Sequence, residues 1–492
     1  MYWGAELNER VILFLLGKIL YFLGIVFSVP MLLGFFYGDG GGPIFGLCMI
    51  AILLLGLFFR LVGRSASQWQ EITNREGILI VVVTWLLAAG FSAVPFAVSG
   101  MLDPAGAFFE AMSGLTTMGA TALTVIEGRP LSLLFWRIWL HWIGGLGIIV
   151  IFIALLPGLS GGSVHLFNAE SSGFEGERIL PRLQKTALAL FRIYAFITGA
   201  TAVLLLACGL NLYDAVTHAM SAIATGGFSG YNDSIAHFGS LRVEMVLGLA
   251  MVVAGGNFAL YFNAVQRGPR VLLKNDEFRW YLVLLLTLTG IVATGLVSQG
   301  RSLGEGLRYS FFHVVSFIST TGYVATDFDQ WPSVSKICLT VLYFTGACAG
   351  STAGGIKISR FVVLVRGIKV GVDKVLHPGD SRPVLYNGRE VSNSVLALVL
   401  SFFFLYIVVL VVSSVLLAST GVDILTAITG VAACLSSVGP GFGPVVGATG
   451  SFSSITPAGK VLLAFVMMIG RLEMYTVLIL FSREFWQGHS RW

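Results

Sequence analysis

A short polar run that closes on a glycine occurs four times in this chain, each time between two stretches apolar enough to cross a bilayer. The copies read Ser113-Gly-Leu-Thr-Thr-Met-Gly119, Ser221-Ala-Ile-Ala-Thr-Gly-Gly227, Ser316-Phe-Ile-Ser-Thr-Thr-Gly322 and Ala433-Cys-Leu-Ser-Ser-Val-Gly439. Their closing glycines are roughly a hundred residues apart, a period that points to one unit duplicated twice. Such a run cannot face lipid. Non-helical backbone at membrane depth is tolerated only where it is buried in protein or lines water.

The surroundings support a membrane setting. The 492 residues are 56% hydrophobic and 11% charged, against about 25% charged in a soluble domain. The net charge of +5 needs no nucleic acid, because basic loops on one membrane side produce it. Glu6, Glu9 and Arg10 precede a long apolar run with no small-residue cleavage site, so a retained first helix is expected rather than a signal peptide. The seven histidines are scattered without metal-ligand spacing and the five cysteines form no CxxC, which argues against an integral-membrane enzyme, so no enzymatic activity is expected.

A span needs about 20 apolar residues. Two fall at 11–37 and 43–62, and the pattern span, short segment, polar run, span then repeats. It reads 77–99/103–115/131–157, 183–209/211–224/241–266, 279–299/303–318/333–370 and 391–418/421–436/457–483. The fold expected is all-α and integral to the membrane, with ten transmembrane helices and four re-entrant pore helices around one pore. Its divisions are an extra pair of spans in 1–64 and four pore repeats at 77–157, 183–266, 279–372 and 391–483. With the short segments outside, 22 of 30 basic residues collect on the inner side, so both termini are expected in the cytoplasm. Asp103, Asp214 and Asp423 stand near the starts of three short helices, whose C-terminal ends carry the negative end of the helix dipole into the bilayer. Converging ends of that sign, followed by carbonyls and hydroxyls, favour a cation.

With these strings in hand, the chain resembles the Trk/Ktr/HKT superfamily of potassium transporters over essentially its whole length. Two further strings carry the resemblance: His141-Trp-Ile-Gly-Gly-Leu-Gly-Ile-Ile149 and Gly346-Ala-Cys-Ala-Gly-Ser-Thr-Ala-Gly-Gly-Ile-Lys357. The extra N-terminal spans are similar to the TrkH type and unlike the shorter KtrB type. The resemblance implies a homodimer in a bacterial inner membrane, in contact with lipid, with one potassium pore per protomer. It implies a filter of Thr116, Thr117, Gly119, Thr225, Gly226, Gly227, Thr320, Thr321, Gly322, Ser437, Val438 and Gly439. Plant relatives that prefer sodium tend to carry Ser at the first filter glycine, so Gly119 favours potassium. Ala120, Phe228, Tyr323 and Pro440 follow the four glycines, and an asymmetric, looser filter is expected.

The run 346–355 holds four glycines, Gly346, Gly350, Gly354 and Gly355, with Ser351-Thr352 inside a span. Each glycine costs a helix about 1 kcal/mol relative to alanine. The segment is either a packing kink or an unwound loop obstructing the path, and the resemblance implies the second, an intramembrane gate. Arg471, inside the last span, is either half of a structural ion pair or a pore-lining cation that holds the carbonyls of 346–355. Lys357, Arg360, Arg366 and Lys369 set orientation or meet a cytoplasmic partner. The resemblance implies a TrkA-like ring that binds NAD(H) or ATP. This chain has neither GxGxxG in a strand–helix unit nor GxxxxGK[ST], so no organic cofactor is expected on it. An ion-coupled symporter is the alternative to a channel, with Glu473 its candidate intramembrane carboxylate. His218 and His313, with Glu110 in the equivalent place, are expected to pack or cap pore helices. Asp233, Asp327 and Asp329 either draw cations to the mouth or sit in solvated loops.

Overall fold

The computed structural model describes residues 7–64, 73–147, 183–377 and 382–487. The chain divides into two compact units, one of residues 1–116, 120–195 and 451–492, the other of 117–119 and 196–450.

The first unit opens with α1 (Glu9–Val26) and α2 (Ser28–Tyr37), which together make one apolar stretch, followed by α3 (Gly41–Gly63) and α4 (Asn74–Val98). Thr73 and Glu76 form a capping box at the start of α4, satisfying two amides that helix geometry leaves without partners. The short α5 (Pro104–Leu115) and α6 (Leu131–Leu146) complete the first repeat. Residues 148–157 of the expected second span lie outside the described residues. The turn between α2 and α3 is tied to the start of α6, where Asp39 accepts from the Ser132 amide at 2.7 Å and its hydroxyl at 2.9 Å. Trp136 is buried against Phe27 and donates its indole N–H to the Ser92 carbonyl at 3.0 Å. From the end of the chain come α18 (Pro457–Arg471), the short α19 (Met474–Leu478) and α20 (Arg483–Gln487).

The helix α7 (Leu183–Ala207) leads into the second unit, which contains α8 (Leu212–Ile223), α9 (Leu241–Ala254), α10 (Phe258–Arg267) and α11 (Arg270–Lys274). There follow α12 (Asp276–Ser298), α13 (Leu303–Ile318), α14 (Ser333–Phe344), α15 (Ile358–Leu376), α16 (Asn393–Ala418) and α17 (Ile424–Ser436). Between α15 and α16 a hairpin of β1 (Val384–Tyr386) and β2 (Arg389–Val391) pairs Tyr386 with Arg389. Asn387 and Gly388 turn it with φ of 48° and 75°, the two left-handed residues that a tight two-residue hairpin requires.

Among the described residues, six stretches are long and apolar enough to cross a membrane, and the pairs α9–α10 and α18–α19 pass the same test with bends of 88° and 118°. The span expected at 333–370 is divided into α14 and α15 by residues 345–357. With α6, all ten expected spans have a helix, and the chain has an all-α membrane fold.

The four short segments are helical as expected. At 12 to 16 residues they extend about 18–24 Å, short of the ~30 Å hydrocarbon layer. Their caps are Asp103, Asn211, Ser302 and Asp423, each accepting from an amide of its first turn. Asp214 is therefore not the cap of α8. It sits one turn in and accepts from Asn211 and the Tyr231 hydroxyl, each at 2.8 Å. The carboxyl of Asp423 is held below its ordinary range by the hydroxyl and amide of Thr426.

In the first unit α5 and α6 meet through Gly144, where an added Cβ would lie 1.8 Å from the Leu115 carbonyl oxygen. Gly144→Ala must push the two helices apart at a cost of about 1–3 kcal/mol. The expected outcome is a lower melting temperature and lower yield of the detergent-solubilised protein, read by thermal-shift chromatography.

Candidate functional site

The four polar runs share one backbone. Two residues before each closing glycine stand Thr117, Thr225, Thr320 and Ser437, with φ between 53° and 57°. The glycines themselves, Gly119, Gly227, Gly322 and Gly439, have φ of 80°, 77°, 77° and 102°. The residue between them is not left-handed in any copy. This alternation of backbone hand turns successive peptide dipoles to one side instead of opposing them as a strand does. It is not free, since a β-branched residue at positive φ is an outlier and each costs on the order of 1–2 kcal/mol.

The second unit contains one such segment from every repeat, and they close on one another in order. A Cβ on Gly119 would lie 2.0 Å from the carbonyl oxygen of Gly226, one on Gly227 1.9 Å from that of Thr321, and one on Gly322 1.8 Å from that of Val438. The fourth junction returns to the first, with Gly439 3.0 Å from the Met118 oxygen by the same measure. Glycine is thus required twice over at three of these places, by φ and by space. Carbonyls in a closed ring are the arrangement that replaces the water shell of a cation.

Each strand leaving the ring is fixed by a side chain of its own short helix, nine residues before the glycine in three repeats and ten in the fourth. In the first unit, Glu110 accepts from the Ala122 amide at 2.7 Å and from the Thr121 hydroxyl at 3.0 Å. It is in turn paired with Arg137 at 2.6 Å, both side chains almost wholly buried. In the second unit, His218 contacts the Ser229 hydroxyl at 3.0 Å and His313 the Thr326 carbonyl at 3.1 Å. Thr429 accepts from the Phe442 amide at 3.1 Å. Tyr323 is fully buried and its hydroxyl reaches the carbonyls of His218 and Phe228 at 3.3 and 3.4 Å. Asp329 grips the strand after the fourth glycine through the amides of Gly443 and Ala448 at 3.1 and 3.2 Å, a bond to protein rather than a solvated loop.

The segment 345–357 is unwound and packed against the same left-handed residues. The Gly354 amide donates to the Thr320 hydroxyl at 2.8 Å, and the Thr352 hydroxyl lies 3.2 Å from that of Thr225. A Cβ on Gly354 would lie 2.7 Å from that of Ser437. Two of the four hydroxyls in this layer are therefore engaged by the loop. Those of Thr117 and Ser437 are buried with no hydrogen-bond partner among the described residues. In the first unit the Thr116 hydroxyl donates to the Met112 carbonyl at 2.7 Å. Gly346 crosses the loop's return strand, with its amide on the Ile356 carbonyl at 2.8 Å, and Gly350 and Gly355 have φ of 71° and 68°.

In the first unit the Arg471 guanidinium donates to the carbonyls of Gly144 and Gly145, buried at the C-terminal end of α6. In the second unit the carbonyls of Ala353 and Gly354 are held by Lys357, which had been read as an orientation charge. Glu473 begins α19 with φ of 58°. Glu277, 3% exposed, accepts from the amides of Ala349 and Ser359 at 2.7 and 3.0 Å. Beside Asp276 in the first turn of α12, it has the sequence context of an ordinary interfacial charge.

Residues 49–491 match the family described as TrkH, cation transport protein. The Trk system potassium uptake protein TrkH of Salmonella typhimurium is 34% identical over 98% of this chain and 100% of its own. TrkG of Escherichia coli K12, named in the same way, is 32% identical over 98% and 99%. The crystal structure of the potassium transporter TrkH from Vibrio parahaemolyticus superposes with a TM-score of 0.88 at 31% identity, over 98% and 100% of the two chains.

Gly322→Ala meets both constraints on its position, whereas Gly439→Ala meets strain at φ 102° with a carbonyl at 3.0 Å rather than 1.8 Å. Cation flux into liposomes is expected to fall at least about tenfold for the first and by less for the second, a factor of ten being about 1.4 kcal/mol. Glu110→Ala leaves Arg137 buried without its carboxylate, and a loss of about 3–5 kcal/mol of stability is expected in chemical unfolding.

Proposed function

The chain belongs to the TrkH family of cation transport proteins, and from that premise we propose that it takes up potassium through a channel-like pore in a bacterial inner membrane. The observation that carries this reading is the closed ring at 117–119, 225–227, 320–322 and 437–439, in which each glycine lies against a carbonyl of the next run. In this reading the carbonyls of the ring strip and replace the hydration shell of a monovalent cation. Thr117 and Ser437 add their hydroxyls, and Gly119 in place of a serine favours potassium over sodium. The segments 77–157, 183–266, 279–372 and 391–483 act as four pore repeats, and 1–64 as an added pair of spans.

The loop 346–355, with Gly346, Gly350, Gly354 and Gly355, is the gate in this reading. Its support is the pair of bonds to Thr225 and Thr320: a loop so placed removes two hydroxyls from the ion's inner layer and fills the space beneath them. Arg471 belongs to the gate through its charge, repelling cations while its guanidinium takes up the carbonyls of Gly144 and Gly145. The relatives' name, a Trk system, supports further parts. The protein works as a homodimer, both termini face the cytoplasm where 22 of 30 basic residues collect, and a TrkA-like cytoplasmic subunit carrying NAD(H) or ATP sets the gate.

Two measurements test the reading. Purified protein in liposomes is expected to pass potassium or rubidium, with unitary currents in planar bilayers; flux that reverses only with a proton or sodium gradient would overturn the channel mode in favour of a symporter. Deleting 349–353 is expected to raise basal rubidium uptake by at least about tenfold, and Thr352→Val, which loses about one hydrogen bond, by about fivefold.

A further inference from the structure

The first turn of α12 carries two consecutive acids with different partners. Glu277 is nearly buried, and one of its oxygens accepts both from the loop, the Ala349 amide at 2.7 Å, and from the first turn of α15, the Ser359 amide at 3.0 Å. The sequence-adjacent Asp276 accepts from Arg366 of α15 at 2.7 Å and from the Asn387 amide in the hairpin turn at 2.9 Å. The connection is returned: the Asp276 amide donates to the Asn387 side-chain oxygen at 2.7 Å. That amide is one of the first-turn donors an α-helix cannot satisfy internally, and the hairpin supplies its acceptor. Arg366 also donates to the Leu385 carbonyl at 2.6 Å, so the hairpin is held on both sides. Asn387 and Leu385 are exposed.

We propose that Asp276 and Glu277 are positioning residues that couple the hairpin 384–391 to the loop 345–357, Asp276 reading the hairpin and Glu277 holding the loop closed. The inference rests on that loop being the gate. The physics is that of a short rigid lever. A carboxylate buried in a membrane protein persists only while donors face it, so Glu277 cannot leave the two amides without a new partner or water. The two acids share one helical turn, so a displacement of the hairpin reaches Glu277 through one peptide unit. Asn387 serves two ends at once, as a residue that tolerates left-handed backbone and as the acceptor for α12. A glycine there would keep the turn and lose the acceptor. An effector that grips the exposed hairpin would thereby release the loop without touching the ring.

The test is basal rubidium uptake by the full-length protein in liposomes. Glu277→Ala is expected to raise uptake about tenfold, and Glu277→Gln, whose side-chain carbonyl still accepts both amides, to stay within about twofold of the parent. Asn387→Gly is expected to raise uptake about threefold on the parent background and to add nothing to Glu277→Ala, because both act through one connection. A merely structural role would lower flux in all three and would not be rescued by glutamine. If deletion of 349–353 raises uptake while Glu277→Ala and Asn387→Gly leave it at the parent level, the coupling is wrong and the gate stands. If the deletion itself changes nothing, gate and coupling fall together. Should Glu277→Ala not be recovered from membranes, Asn387→Gly, an exposed turn substitution, decides alone: uptake unchanged from the parent overturns the proposal.

Discussion

Four glycines lying against four carbonyls are the constraint to which the rest of the second unit answers. At Gly322 an added Cβ would come within 1.8 Å of the Val438 oxygen, so the ring closes only if the backbones approach as near as main chains can. That approach is bought with strain, since Thr117, Thr225, Thr320 and Ser437 all sit at positive φ. Strained backbone of this kind persists only where its surroundings over-determine it. The surroundings do so with unlike chemistry at like positions: a charged pair behind the first run, an imidazole behind the second and third, a hydroxyl behind the fourth. What is common is geometry, a short capped helix that aims one side chain at the strand emerging from the ring. What differs is stiffness, and Glu110 with Arg137 makes the first brace the most costly to break.

Much of this was legible because the signals are local. Apolar length alone located the spans, and glycine with Thr or Ser marked where the helices had to stop. The glycines of the ring were readable from their recurrence at one place in four units. The hairpin was announced by Asn387-Gly388, a two-residue turn signal overlooked in a chain otherwise made of helices. The partners of charged residues were not legible. Arg471 takes the carbonyls of Gly144 and Gly145, more than three hundred positions before it in the chain. Lys357 looked like one of a basic cluster, yet it closes the loop whose last glycines it follows. Asn211 caps α8 ahead of the acid Asp214, since any short side-chain oxygen at that place serves. Of these, the Arg471 contact joins residues more than a hundred positions apart, while Lys357 and Asn211 bond within four residues.

Glu277 illustrates why such a residue hides. Its neighbours Asn275 and Asp276 make an ordinary helix start, with Asn275 accepting from the Phe278 amide at 2.9 Å, and acids in a first turn complement the helix dipole. Every local reason for the acid is satisfied before its tertiary role is considered. Only burial separates it from a surface charge. At 3% exposed, its desolvation must be offset by specific donors, and those donors are the Ala349 amide inside the loop and the Ser359 amide in the first turn of α15.

Selection and closure, on the proposed reading, are not separate machines stacked along a path. The hydroxyls of Thr225 and Thr320 belong to the strained residues that shape the ring, and they are the same hydroxyls the loop engages at 3.2 and 2.8 Å. A cation in the inner layer and the closed loop would therefore compete for the same oxygens. Occupancy of that layer must weaken the closed loop by as much as the closed loop weakens occupancy, because linkage between two ligands of one site is reciprocal. Such a pore needs no long-range wire between filter and gate, only a loop whose bonds are poor enough to be exchanged for an ion. Gly354 meets that need, since it allows close contact with Ser437 of the ring while adding no side chain that would anchor the loop there.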